Sequence, residues 1–403
     1  MPRGFNAWVV ATVGADLGSG VLAFSLAWVA SGHGPALVSA VLTLTVAPSV
    51  LFGLLGGAVA DRFGPRRVMI VCTCAFMSIS AVLALTVTVR PMSPVALVVA
   101  AAAIGTVSAF HRPAVGVFPR MFVVDAELGA AMARVGMASQ VAGAIAPPLG
   151  GILVGVIALS GVAWIDVVGC ICMVMVLLAV RPPIASSPAM EAVSVRGILR
   201  GIATAGETRG APALLACVAL VAGAVIPSMV VGIPLVARER GWTAAEAGLI
   251  EAGWIAGGLL AGAWFSWRGT SARAWRGIAI GPVLVACGLA ALAVSPSWTS
   301  AAGGTGIIGF GVVIFTAHVF PTYVRLAPAS MLSRFQSVLI LAQRAPQLVV
   351  TPLIGILIGF TTTGPAFLCG AVVALVATVV VAANKTLRAV GSASVAGGVS
   401  PAP

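Results

Sequence analysis

Apolar runs of about twenty residues recur along the whole length of this 403-residue chain, and that recurrence leaves little choice of fold. The hydrocarbon core of a bilayer is about 30 Å thick, which about 20 helical residues cross. No water is available there, so each run must satisfy its own backbone, and the segments are expected to be helices. Reading between charged or Pro/Gly-rich breaks predicts twelve spans: 8–29, 37–60, 68–89, 95–118, 128–159, 162–180, 211–237, 244–267, 277–294, 300–323, 331–360 and 365–383. With 60% hydrophobic and only 8% charged residues, the chain is an all-α polytopic membrane protein by composition as well. An even number of spans places both termini on one side.

The basic residues say which side. Sixteen of the 22 Lys and Arg fall in the loops on the side of the termini, and three, Arg90, Arg238 and Arg240, fall on the other. Arg112, Arg134 and Arg344 lie inside spans. Short cytoplasmic loops carry the excess positive charge, so both termini are expected to be cytoplasmic. The same dispersion explains the net charge of +12 and argues against a nucleic-acid partner. Pro2 and Arg3 lead directly into a run too long for a signal peptide, so the first span is expected to stay. All seven cysteines sit in spans, and the Cys72/Cys74 and Cys170/Cys172 pairs point to different helix faces, so they read as apolar filler with no metal or redox spacing.

Residues 182–210 are the one long polar insertion. The expected organisation is a six-span bundle over 1–181, a cytoplasmic linker over 182–210, a second bundle over 211–390 and a disordered tail over 391–403. Val195, Ile198, Leu199 and Ile202 would form the apolar side of a short amphipathic helix in the linker. The halves look related. Phe118-Pro119 with Arg120 recurs as Phe320-Pro321 with Arg325, Gly57 recurs as Gly258, and Pro147-Pro148 with Gly150-Gly151 has its counterpart in Pro346, Pro352 and Gly355. Paired bundles that rock about a midplane site are a common design of secondary transporters.

Between the second and third spans stands Gly57-x-x-x-Asp61-Arg62-x-Gly64-x-Arg66-Arg67. In content and position it resembles the signature loop of the major facilitator superfamily. Phe110-His111-Arg112-Pro113-Ala114, Ser139-Gln140 and Ala146-Pro147-Pro148-Leu149-Gly150-Gly151 look like the multidrug and siderophore exporter branch, whose fifth span carries Gly-Pro-x-x-Gly-Gly. Here Ala146 replaces the leading Gly and Pro148 is an added proline; Pro65 replaces a common basic residue, and the second-half copy of the signature, 258–273, lacks the acid. The resemblance implies a major facilitator fold of two pseudo-symmetric six-helix bundles.

It also implies roles. Gly57 would allow close helix approach, Gly64 a chain reversal, and Asp61 with the arginines a cytoplasmic latch against the start of the eleventh span near Ser330 to Ser333. A solvated turn obeying the positive-inside rule would account for the arginines alone. Pro147 and Pro148 should bend the fifth span and Gly150 and Gly151 provide a smooth packing surface, a region that in the resembling exporters seals against proton leak. A simple packing kink is the plainer reading.

Ionisable residues inside spans are costly and mark function by default. Asp16 of the first span and His111 and Arg112 of the fourth lie at similar depths, and the resemblance turns both spans to the cavity. Asp16 is the expected proton or cation site, with Arg112 or His111 as partner; a static ion pair between helices, and a merely packed His111, are the alternatives. Glu251 and Arg344 form a second candidate set. Asp166 and Arg134 read as interfacial or snorkelling. No P-loop occurs, and three histidines and ten acids leave little for catalysis.

The resulting expectation is a non-enzymatic secondary transporter exporting small lipophilic or amphipathic molecules by proton antiport. It needs no cofactor beyond the proton gradient, and its partners are substrate, protons and membrane lipid. It is expected as a monomer in a bacterial cytoplasmic membrane. A proton-coupled importer and a non-transporting sensor on the same scaffold are the rivals.

Overall fold

The structure, a computed structural model, describes residues 2–89, 93–183, 202–268, 274–328, 331–384 and 387, and all its elements are helical. Val195, Ile198 and Leu199 of the linker and the 391–403 tail lie outside the described residues. Spans one to four are Arg3–Ser31, Pro35–Phe63, Pro65–Val89 and Pro94–Val117. Proline opens three of them, at a position where its missing N–H has no intrahelical partner to lose. Spans two and three are joined by Gly64 alone, which adopts φ 85° and donates its N–H to the Ala60 carbonyl at 3.0 Å. A side chain there would be strained.

Eleven helices among the described residues are long and apolar enough to cross a membrane. One of them, Asp125–Ala179, has 55 residues, about 80 Å if straight and far beyond one crossing. It replaces the separate fifth and sixth spans of the sequence reading, and its neighbours show that it folds back. Ala146 packs on Gly20, and Gly150 lies against the Val21 carbonyl and Phe24, so this arm runs alongside span one. Further on, Asp166 packs on Gly18 and Val180 on Gly4, so the second arm returns in the opposite direction. The reversal is at Ala158, with φ 56° and ψ −179°. Among the described residues twelve passes therefore result, with spans five and six forming one continuous hairpin.

Backbone of that kind is essentially glycine territory. Ala158→Gly is expected to raise stability by about 1 kcal/mol, seen as a higher melting temperature in detergent. An unchanged or lower melting temperature would contradict strain at this corner.

Span seven is Ala211–Pro227, a π turn over Ser228–Gly232 and a final helical stretch, Ile233–Glu239. Pro234, which has no N–H to donate, stands two residues beyond the wider turn. Spans eight, nine, ten and twelve are Ala244–Arg268, Ala274–Val294, Trp298–Leu326 and Thr363–Ala383, and span eleven is Leu332–Phe360.

By their internal contacts the helices form two compact units, one comprising the first six spans with Pro234–Leu249, the other the rest of the second half. Within the first unit, spans two and four meet through glycines. A Cβ on Gly56 would fall on the Ala109 carbonyl, and one on Gly105 on the Leu44 carbonyl. The end of this unit nearest the N-terminus is filled by Phe5, Trp8, Phe118 and Phe122, with Trp8 and Phe118 rings 5.0 Å apart. In the second unit, span ten is held on both sides by glycine contacts: Gly253, Gly257 and Gly309 with span eight, and Gly281, Gly288 and Gly311 with span nine. Lipid offers no hydrophobic drive for helix association, so close backbone approach and dispersion must supply it.

Candidate functional site

Asp16 is half-buried on span one, and its direct partner comes from span five: Ser139 Oγ donates to Asp16 Oδ2 at 2.7 Å. Arg112 on span four acts electrostatically on both Asp16 and His111 without a direct ion pair to Asp16 among the described residues. His111 sits edge-on to the Phe76 ring at 5.5 Å, which turns it toward span three, while Arg112, one helical step on, is exposed. The first unit thus brings Asp16, Ser139 and Arg112 around one place, with His111 beside it. Ser139 is the partner that the charge-based reading did not assign to Asp16, because a hydroxyl inside a span carries no burial cost large enough to single it out.

Asp166 corrects an expectation. It is 5% exposed, accepts from Ser80 Oγ at 2.6 Å, and packs on Gly18 of span one. An aspartate has too short a stem to reach an interface from that depth, so it is held inside by a hydroxyl and by the space a glycine leaves. Arg134 is exposed. In the second unit Glu251 is half-buried and makes no hydrogen bond or ion pair among the described residues, and Arg344 is exposed on span eleven.

In the signature loop, Arg66 has a defined partner: its Nε donates to the Leu177 carbonyl at 2.8 Å and its Nη2 to the Leu178 carbonyl at 3.0 Å. These carbonyls end span six, where a helix has no intrahelical donors left and its dipole favours a cation. Arg66→Ala should therefore cost about 1–2 kcal/mol of stability, with partial rescue by Arg66→Lys, in thermal melts of the purified protein. Equal melting of native and Arg66→Ala protein would refute the cap. Asp61, Arg62 and Arg67 are exposed, and Arg62 lies over Phe63. Ser330 and the Ser333 side chain, the expected neighbours of Asp61, lie outside what the structure describes. The close-approach glycine is Gly56; Gly57 has open space within 4 Å. A one-residue shift on a helix turns the contact by about 100°, which a motif read by spacing does not resolve.

The fifth-span motif packs on two neighbours. Ala146 is 2% exposed, and the methyl it carries where the resembling motif has glycine is met by Gly20 of span one. Gly150 also faces span one. Gly151 meets the Ala244 carbonyl, and the Pro147 carbonyl occupies the space that a Cβ on Gly248 would need. Pro147 and Pro148 stay within the helix.

The Major Facilitator Superfamily sequence model matches residues 8–349. The chain belongs to the major facilitator superfamily. This facilitator shares its fold with a nucleoside transporter, NupG, at a TM-score of 0.76 and 14% identity over 95% of this chain and 100% of that one. A POT family transporter solved with a thioalcohol-conjugated peptide aligns at a TM-score of 0.75 and 14% identity, covering 95% and 96%. A bacterial homolog of the human lysosomal transporter Spinster, solved inward-facing and unoccupied, aligns at 0.67 and 15% over both whole chains. No curated protein matches the sequence significantly. The facilitator is thus a multi-pass membrane protein of transporter fold.

Proposed function

We propose that this facilitator exports small lipophilic or amphipathic organic molecules by proton antiport, with Asp16 as the residue that takes up and releases the coupling proton. The observation that carries the reading is the grouping of Asp16, Ser139 and Arg112 from spans one, five and four inside an apolar bundle. A carboxyl there is oriented by one hydroxyl and senses one cation, an arrangement in which a bound solute that engages Arg112 changes how well Asp16 holds its proton. The fifth-span motif Ala146 to Gly151, closely packed on both sides, supports the antiporter reading through its resemblance to exporters. The scarcity of embedded charge favours an apolar solute over a sugar or a polyanion. On this reading both termini face the cytoplasm of a bacterial inner membrane, the proton gradient is the only energy source, and the monomer suffices.

A second reading keeps the coupling group and reverses the flow. Fold neighbours named as peptide and nucleoside transporters fit this proton-coupled import of a small metabolite as well. Respiring inside-out vesicles separate the two. Adding lipophilic dyes and antibiotics one at a time should collapse the pH gradient in vesicles holding the native protein and not in vesicles lacking it. If no such compound moves protons, while peptides or nucleosides accumulate in whole cells dependent on the protein, export is wrong and uptake stands.

A further inference from the structure

At the end of span one farthest from the N-terminus, Trp28 is 8% and Ser31 5% exposed. Arg238, in the last turn of span seven, converges on both. Its guanidinium lies over the Trp28 ring at 4.0 Å, its Nε donates to Ser31 Oγ at 3.2 Å, and its Nη2 donates to the Trp28 carbonyl at 3.3 Å. Ser31 Oγ in turn donates to the same carbonyl at 2.6 Å. A helix C-terminus offers unpaired carbonyls and a partial negative charge, so a guanidinium is well suited to cap it.

The turn that carries Arg238 is rigid by construction. Gly241 takes φ 72°, Trp242 N–H closes on the Ala237 carbonyl at 2.7 Å, and Thr243 and Glu246 form reciprocal capping bonds at the start of span eight. Just beyond, Ala244 and Gly248 touch Gly151 and Pro147 of span five. The Pro234–Leu249 segment of the second half therefore belongs to the compact unit of the first six spans. The glycine contacts only set a distance of closest approach. Arg238 supplies a directional attraction, and because its outer side is exposed that attraction is modest and reversible.

We propose that Arg238 is a releasable latch on the membrane face opposite the termini, holding the span seven to span eight turn on the Trp28–Ser31 end of span one, and that the transport cycle releases it. The proposal rests on the transporter reading, but its test reads position and not transport. Cysteines are introduced at the exposed His33 and Leu249 in a background freed of the native cysteines, spin-labelled, and their distance distribution is measured in detergent. The native protein should give one short, narrow population. Arg238→Ala and Trp28→Leu should each raise the longer-distance fraction about tenfold, with Arg238→Lys between. Trp28→Phe, which keeps a smaller ring face, covers the case in which Trp28→Leu fails to fold, and should give a smaller shift in the same direction. Superimposable distributions for native and Arg238→Ala protein would overturn the latch, whether or not any solute is transported. A proton assay that finds no substrate leaves this distance measurement decisive.

Discussion

Asp16→Asn is expected to reduce substrate-driven proton movement at least about tenfold while leaving the protein folded, since asparagine keeps the shape and the acceptor for Ser139 but cannot carry a proton. Ser139→Ala removes only the 2.7 Å bond that orients the carboxyl, so a loss of about threefold to tenfold is expected, in the range of one hydrogen bond. Arg112→Gln removes the cation that Asp16 senses and should uncouple solute from proton, whereas Arg112→Lys should retain part of the coupling. The check is a pH-sensitive dye trapped in vesicles reconstituted with equal amounts of each variant. If Asp16→Asn moves protons at the native rate, the coupling group lies elsewhere, and Asp166 and Glu251 are the next acids to replace.

The second large effect is on folding. Gly257 faces the Gly306 backbone and Gly309 faces the Trp254 carbonyl, both at the meeting of spans eight and ten. A side chain at either must displace a backbone, which no rotamer change can relieve. Gly257→Val and Gly309→Val are expected to cost at least about 3 kcal/mol each and to yield little monodisperse protein on size-exclusion chromatography. Gly303, exposed on span ten with nothing within 4 Å, is the control. Gly303→Val should behave as the native protein. Normal yield and melting of Gly309→Val would show that this helix pair is not set by backbone contact.

These positions show what could be read from residues alone. The passes across the membrane were legible because hydropathy is a one-dimensional signal, and even the hairpin of spans five and six was read as two segments broken near residue 160. That the backbone turns at Ala158 was not legible, since alanine is the last residue whose type would suggest a positive φ. That Asp16 lies near Arg112 was legible, because a rise per residue converts position into height. Height along a helix carries no information on which way a side chain faces around it. For that reason Asp166 was assigned to an interface with neither Ser80 nor Gly18 as neighbour, and the signature motif, read by spacing alone, pointed to Gly57 where Gly56 makes the approach. Arg238 entered the sequence reading only as one of three basic residues on its side of the membrane. Its partners, Trp28 and Ser31, lie more than 200 residues away. Arg66 caps a helix C-terminus in the same way as Arg238, at the end of span six. Positive charge that topology explains by location is here also used for capping.

Proton coupling through Asp16 is tested by a paired measurement in proteoliposomes with a lipophilic dye that passes the vesicle screen. Exchange of labelled for unlabelled dye requires only that the binding site alternate; gradient-driven accumulation also requires a proton carrier. Asp16→Asn is expected to retain exchange and to lose accumulation in response to an imposed pH gradient. Accumulation by Asp16→Asn at the native level would contradict that coupling.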